Sequence, residues 1–246
     1  MHRMLNPAAP VLAAAFLAAC GQGDGAKAAP GPEKSAQAEA GSKTAGLLAS
    51  LVTPRQKGPY APRDECSALK GAQEFRIKLA KAVLARDADA FVGLAAPDIL
   101  LDFGGGEGKD ELRRRLADKD YNLWEALQNL LPLGCAVNGQ SGMTMPWYFA
   151  QDFGDRDSYM LLTVRGEGVP ILAEPRAGAK VLKTLDWNIV ELQESTDEGS
   201  PFAKVHDYDG TAGYMAWDKL RALVDYRLIV EERQGSWVLS AFVAGD

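Results

Sequence analysis

The sequence predicts an α+β protein in which a helical segment with an antiparallel sheet is joined to a small all-β part. Three observations support this fold class. Apolar residues recur at helical spacing between residues 64 and 131, the period becomes that of short strands after Ser158, and residues 225–243 alternate as one long hairpin. We assign residues 64–157 together with 223–246 to the α+β domain and residues 158–222 to the all-β part.

The first twenty residues have the pattern of a targeting signal. Arg3 supplies a positive start, and residues 11–19 form an apolar run too short for a permanent membrane helix. The four residues Leu17-Ala18-Ala19-Cys20 resemble the lipobox of bacterial lipoproteins. The resemblance implies removal of residues 1–19, acylation of Cys20 with palmitate-like chains, and a membrane-anchored chain facing the periplasm. The alternative is an ordinary cleaved signal peptide.

The segment that follows Cys20 is predicted to be a flexible tether. Residues 20–62 are rich in Ala, Gly, Lys, Pro, Ser and Gln, so they cannot bury enough apolar surface to offset their chain entropy. Gly21 differs from the Asp that retains many lipoproteins in the inner membrane, which favours the outer membrane by analogy.

Composition excludes several classes of function. The net charge is −6 and no block of basic residues occurs, which argues against nucleic acid as a partner. The sequence has two histidines, His2 and His206, and their spacing from the cysteines matches no metal site. We therefore expect neither a metal nor another cofactor, and no motif of nucleophilic catalysis is visible.

The three cysteines predict one disulfide. If Cys20 carries lipid, Cys66 and Cys135 remain as an even pair in an oxidising compartment, where disulfides persist. We predict that they are bonded. The alternative is two buried thiols.

The α+β domain begins near Asp64 with alternating local signals. Asp87 is a typical N-cap for a helix, and Pro97 is expected to end that helix. The predicted order is helix, helix, strand, glycine-rich turn, helix and helix, at residues 75–83, 88–95, 99–103, 104–108, 110–116 and 122–131.

This order resembles the opening of the nuclear transport factor 2-like superfamily, which includes the ketosteroid isomerases. The motif residues are 86–91, Pro97-Asp98 and the strand leading to Asp102. In the isomerases the end of this strand carries a general base, so the resemblance implies that position for Asp102. Leu79 stands where that family has an oxyanion-stabilising tyrosine. The other interpretation is that Asp102 binds backbone amides of the glycine-rich turn.

The connector after residue 137 contains an aromatic cluster, residues 143–149. We predict that this cluster packs at a domain junction; exposed, it would form a binding patch.

Residues 160–221 resemble a bacterial Src-homology-3-type domain, and the resemblance predicts a small β-barrel. The short strands are expected at residues 159–164, 169–172, 181–182, 189–192, 202–205 and 211–215. The resemblance is carried by Glu174-Pro175, residues 180–185, residues 202–205 and Asp209-Gly210-Thr211-Ala212-Gly213-Tyr214-Met215.

Members of this family that bind cell-wall peptides use polar and aromatic groove positions. Here the usual Asn-Val-Arg of the first strand is Pro170-Ile171-Leu172, and the usual Trp of the fourth strand is Phe202. Tyr214 and Trp217 remain as possible groove residues. Their alternative roles are barrel core for Tyr214 and cover of a domain seam for Trp217.

The closing hairpin, residues 225–232 and 236–243, needs a sheet to pair with, because an isolated hairpin is marginal in water. We predict that it pairs with strand 99–103, which would make the all-β part an insertion in the α+β domain.

Together these features predict a non-catalytic, lipid-anchored envelope protein whose barrel binds peptidoglycan or an envelope protein. One alternative is a small-ligand binder or isomerase-like enzyme with a cavity around Asp102. Another is a scaffold without a ligand of its own.

Overall fold

The computed structural model describes residue 51 and residues 56–193 and 199–245. The predicted signal peptide, Cys20 and most of the predicted tether lie outside these residues. The described chain has the predicted α+β class, with α-helices in its first half and two mainly antiparallel sheets.

The helices follow the predicted order. They are α1 (Ala72–Ala85), α2 (Ala88–Gly93), α3 (Lys109–Ala117) and α4 (Leu123–Leu130). The Asp87 side chain accepts a hydrogen bond from the Ala90 amide at 2.9 Å, as expected of an N-cap. Short 3-10 helices cover Cys66–Ala68, Leu131–Leu133, Trp147–Ala150 and Trp217–Lys219.

The strands form two sheets. Their bounds are β1 (Ala95–Leu100), β2 (Ala136–Val137), β3 (Met143–Met145), β4 (Leu161–Val164), β5 (Val169–Leu172), β6 (Val181–Leu185), β7 (Ile189–Leu192), β8 (Phe202–His206), β9 (Ala212–Ala216), β10 (Leu220–Ala222), β11 (Arg227–Arg233) and β12 (Ser236–Val243). The five-stranded sheet has the order β1-β12-β11-β3-β2, and the seven-stranded sheet has the order β10-β4-β7-β8-β9-β5-β6.

The closing hairpin pairs with the first strand, as predicted. β12 runs antiparallel to β11 and parallel to β1, with Ala95 opposite Leu239. The first strand, however, covers residues 95–100 instead of 99–103. Pro97 does not end a helix but lies within β1, which is tolerated because β1 is an edge strand.

The seven-stranded sheet corrects the prediction of a closed barrel. Over the described residues its order ends at β6 on one side and at β10 on the other, and neither end strand pairs with the other. β10 pairs with β4 through Leu220 opposite Val164, and the chain then leaves for the five-stranded sheet. The ladder therefore remains open between β10 and β6.

Three apolar clusters hold these layers together. The first packs the helices on the five-stranded sheet, and the second lies on one face of the seven-stranded sheet. The third lies where the two sheets meet and includes Trp147, Tyr148 and Trp187. Trp147 and Tyr148 are buried, so the aromatic segment packs at a junction as predicted.

The predicted disulfide is present. Cys66 and Cys135 are bonded with their Cα atoms 5.8 Å apart, and both are fully buried. The bond joins the segment before α1 to the start of β2. The end of the predicted tether packs on the folded part, since the Tyr60 amide donates to the Trp187 carbonyl at 2.9 Å and Ala61 is buried.

Candidate functional site

Asp102 lies just beyond β1, where its carboxylate organises the glycine-rich turn. Its Oδ1 accepts hydrogen bonds from the amides of Gly104 at 2.7 Å and Gly106 at 2.9 Å, and its Oδ2 contacts the Arg115 guanidinium. The Gly106 amide and the Arg115 guanidinium lower the pKa of Asp102 to about 2. A carboxylate with so low a pKa is a weak proton acceptor near neutral pH.

The charged partners of Asp102 are also held in place. Arg115 donates to Glu111 at 2.6 Å and to the Leu101 carbonyl at 3.2 Å. A Cβ on Gly106 would lie 2.1 Å from Nη2 of Arg115, so only glycine fits between Asp102 and Arg115. This arrangement supports the interpretation of Asp102 as a turn carboxylate.

The interior next to this turn is filled with side chains. Phe91, Ile99, Leu112 and Phe242 are buried in the first cluster, and Leu79 is fully buried with them. A cavity beside the start of α1 and a groove on the seven-stranded sheet are both lined by other residues and do not include Asp102.

The strongest candidate site is an apolar groove on the seven-stranded sheet, with a volume of about 360 Å³. We call it the β5–β6 groove. The hairpin of β5 and β6 forms one side, and the ends of β8 and β9 form the other. Its lining residues are Val169, Pro170, Leu172, Ala177, Gly178, Ala179, Val181, Phe202, Ala216 and Lys219.

Strand register places this groove on the outer face of the sheet. Phe202 lies opposite Ala216 and Leu172 lies opposite Val181, so each pair projects from one face. Ala203 and Met215, which alternate with the lining residues, belong to the second apolar cluster on the other face. Most of the groove therefore lies on the outer face, and Val169, which also belongs to the second apolar cluster, connects it to the core of the sheet.

The groove borders an exposed apolar strand. Val181 is 50% exposed and Leu182 is 43% exposed, unusually high values for neighbouring large apolar residues on one strand. Among the described residues that line the groove, Lys219 alone is charged. Its surface thus suits a predominantly apolar ligand.

The predicted groove residues flank this site but do not line it. Tyr214 lies opposite Leu172 and Lys204 in the sheet, so it is on the same outer face. Trp217 is 38% exposed and follows Ala216 directly in the chain. Asp102 belongs to the other sheet and is not brought together with them.

Sequence reasoning missed Pro170, Val181 and Phe202 as groove residues. Pro170 and Phe202 depart from the binding motif of the Src-homology-3-type domains that the sequence resembles, yet both line the groove. One usable signal was the pair Val181-Leu182. On a strand of period two, adjacent apolar residues point to opposite faces, so one of them must lie outside the core.

A second cavity, of about 640 Å³, lies between the start of α1 and the tip of the β11–β12 hairpin. Its lining includes Lys70, Lys78, Glu74, Glu232 and Trp237. Because cations and carboxylates both line it, it offers less selectivity for one type of ligand than the β5–β6 groove.

No family model, curated protein or solved structure gives a significant match to this chain. Within residues 56–193 and 199–245, no group of three or more His, Cys, Asp or Glu side chains could hold a metal ion. The helices of this part of the chain are all too short or too polar to cross a membrane.

Proposed function

We propose that this chain is a non-catalytic, lipid-anchored protein of the bacterial cell envelope that binds a partner protein through the β5–β6 groove. The observation that carries the proposal is an apolar groove open to solvent on the outer face of the seven-stranded sheet. Exposed apolar clusters of this kind mark interaction sites in soluble domains.

The chemistry of the groove favours a protein over peptidoglycan. Peptidoglycan presents sugar hydroxyls and peptide carboxylates, which need hydrogen-bonding partners when they lose water. Among the described side chains that line the groove, Lys219 is the one that can form a hydrogen bond. The other lining residues are apolar or glycine. An apolar segment of a protein would give up few hydrogen bonds to water on entering the groove, and the burial of its apolar surface would be favourable.

The proposal includes a lipid anchor at Cys20 and a fold made of two parts. The lipobox-like Leu17-Ala18-Ala19-Cys20 supports lipid attachment at Cys20 and an outer-membrane location facing the periplasm. The motif at residues 160–221 supports an open variant of the Src-homology-3-type fold. The order of α1, α2, β1 and α3 supports a nuclear transport factor 2-like origin for the remainder.

A non-catalytic role is supported by the state of Asp102. Its carboxylate is occupied by two amides and Arg115, and the interior beside it is packed. These contacts leave no arrangement around Asp102 that would favour proton transfer from a bound substrate.

Photo-crosslinking from single positions tests the groove in cells. A photoreactive amino acid placed at Val181 should yield a discrete crosslinked protein, because that side chain lines the groove. The matched control is Val137, which is also apolar, 37% exposed and on an edge strand, but in the other sheet. Equal crosslinking from both positions, or none from Val181, would contradict the proposal.

Co-sedimentation separates protein binding from wall binding. Residues 21–246 should not sediment with purified peptidoglycan sacculi that have been stripped of protein. Sedimentation that depends on Val181 would instead assign the groove to peptidoglycan.

A further inference from the structure

The β6 strand beside the groove has an unpaired edge. In the described part of the chain β6 pairs with β5 and is the last strand of its sheet. Pro170, opposite Thr184, has no N–H to donate, and proline is tolerated where that group would point away from the partner strand. The backbone groups of Thr184 then point away from β5, and this alternation holds as far as the bulge at Leu182, where the register with β5 shifts.

The usual protections of such an edge are incomplete here: β6 has a bulge at Leu182, where its register with β5 shifts, but it contains no proline. Edge strands are often blunted by lysines, prolines or a covering element. Lys183 is drawn to the β8–β9 turn, where its ammonium contacts Asp207 at 2.6 Å and also Asp209. Val181 and Leu182 are left exposed at this unpaired edge.

A positive charge beside the edge of β6 favours a ligand that carries a negative charge. Lys180 is exposed and lies between the lining residues Ala179 and Val181. None of the ion pairs found among the described residues includes Lys180, and Lys219 is paired at the groove with the exposed Asp218. A carboxylate near Lys180 would therefore gain an attraction that this chain does not itself supply.

We infer that β6 takes up an extended segment of a partner protein as an additional strand, with an acidic residue near Lys180 and apolar side chains in the groove. Backbone pairing supplies affinity in this mode, and side-chain pockets supply selectivity. The inference rests on the proposed function and specifies the conformation and chemistry of the ligand. It requires alternate residues of the segment to face the groove, since strand side chains have a period of two.

Selection from a peptide library tests this inference. Random twelve-residue peptides displayed on phage would be selected on immobilised residues 21–246, and binders measured by fluorescence anisotropy. We expect enriched sequences to alternate apolar residues and to carry Asp or Glu at one end. Val181→Asp should weaken their binding by about tenfold or more, whereas Val137→Asp should leave it unchanged.

Two further measurements examine the strand itself. N-methylation of alternate peptide amides, in the register that faces β6, should weaken binding by about tenfold, whereas methylation in the other register should not. Lys180→Glu should weaken the binding of the acidic peptides by about threefold at low salt.

The outcomes separate the two proposals. Peptides that depend on Val181 but tolerate N-methylation in both registers would overturn strand addition and leave groove binding in place. Failure to enrich any peptide, or enrichment of peptides indifferent to Val181→Asp, would overturn both.

Discussion

Asp102 illustrates how one residue can be placed correctly by sequence and still be ambiguous in function. It follows β1, as the resemblance implied for a general base, and it also precedes three glycines, as a turn carboxylate would. The contacts that decide between these roles come from Arg115, which lies thirteen residues further along on α3. Sequence alone did not reveal that Arg115 would turn toward Asp102.

The low pKa of Asp102 gives its contribution to stability a definite pH dependence. Its ordinary value is 3.8, and the folded protein lowers it to about 2, so the stabilisation is present above pH 3.8 and is lost as the pH falls toward 2. Asp102→Asn should lower the melting temperature at pH 7, and its difference from the wild type should shrink between pH 4 and pH 2. Circular dichroism melts between pH 7 and pH 2 measure this difference in melting temperature.

Asp155→Asn is the matched control, because Asp155 is an exposed aspartate of the connector. Its melting temperature should follow the wild type at each pH. A constant gap between Asp102→Asn and the wild type down to pH 2 would show that the ion pair is not the source of the effect.

Cys20 carries the prediction about location. Cys20→Ser removes the thiol that acylation requires, so metabolic labelling with a palmitate analogue should be lost and the protein should leave the membrane fraction. Gly21→Asp should keep the label and shift the protein to the inner membrane. Label retained by Cys20→Ser would refute lipid attachment at this residue.

At the scale of single elements, a buried ion pair fixes the start of α1. Arg76 is only 2% exposed and contacts Asp64 at 2.7 Å. The same carboxylate oxygen accepts from the amides of Cys66 at 3.0 Å and Ser67 at 3.1 Å. Asp64 therefore joins α1 to the segment that carries the disulfide.

Removing one partner of this pair should be costly. Asp64→Ala would leave the Arg76 guanidinium buried without its carboxylate, and we expect a loss of about 3 to 5 kcal/mol in the free energy of unfolding. Adding Arg76→Met should restore much of that loss, since the buried charge is then gone. Urea denaturation of the two single variants and the double variant measures this coupling. Additive losses would show that the two residues act independently.

The order of elements was predictable because its signals are local. Asp87 marks the start of α2, and helical spacing marks α1 and α4, without reference to distant parts of the chain. β1 was displaced because its six residues include Pro97 and two alanines, a weak strand pattern. Its pairing with β12, far along the chain, selects residues 95–100.

The disulfide is a long-range contact that the sequence could predict, whereas the groove is a long-range arrangement that it could not. Cys66 and Cys135 could be paired by counting, because the predicted acylation of Cys20 would leave them as one even pair. The groove depends on the register of four strands, which brings Leu172 and Val181 together with Phe202 and Ala216. No local pattern encodes that register, so only the presence of an apolar residue outside the core, within the pair Val181-Leu182, was open to prediction.

At the scale of the whole molecule, the two sheets meet through a polar link as well as an apolar cluster. Arg221, on β10 of the seven-stranded sheet, donates to the Tyr148 hydroxyl at 2.6 Å. It also donates to the Tyr226 carbonyl at 2.6 Å and pairs with Asp225 at 3.1 Å. Tyr148 follows β3 of the five-stranded sheet and is fully buried, which raises the pKa of its hydroxyl. The seven-stranded sheet, which carries the groove, is thereby bonded to the five-stranded sheet, on which the helices pack.

This link predicts that the two sheets unfold together. Wild-type unfolding in urea should give coincident transitions by far-UV circular dichroism and by tryptophan fluorescence. Arg221→Ala removes a charged donor from the buried Tyr148 hydroxyl and should cost about 1 to 3 kcal/mol. It should also separate the two transitions, because the third apolar cluster alone would then join the sheets.

Tyr148→Phe keeps the packed ring and removes only the hydroxyl, which makes it the matched variant for this contact. In the Arg221→Ala background it should cost little more, because the donor is already absent. If the two substitutions instead add in full while the transitions stay coincident, the apolar cluster around Trp147 and Trp187 couples the sheets without help from Arg221. In that case the groove would depend on the helical layer through apolar packing alone.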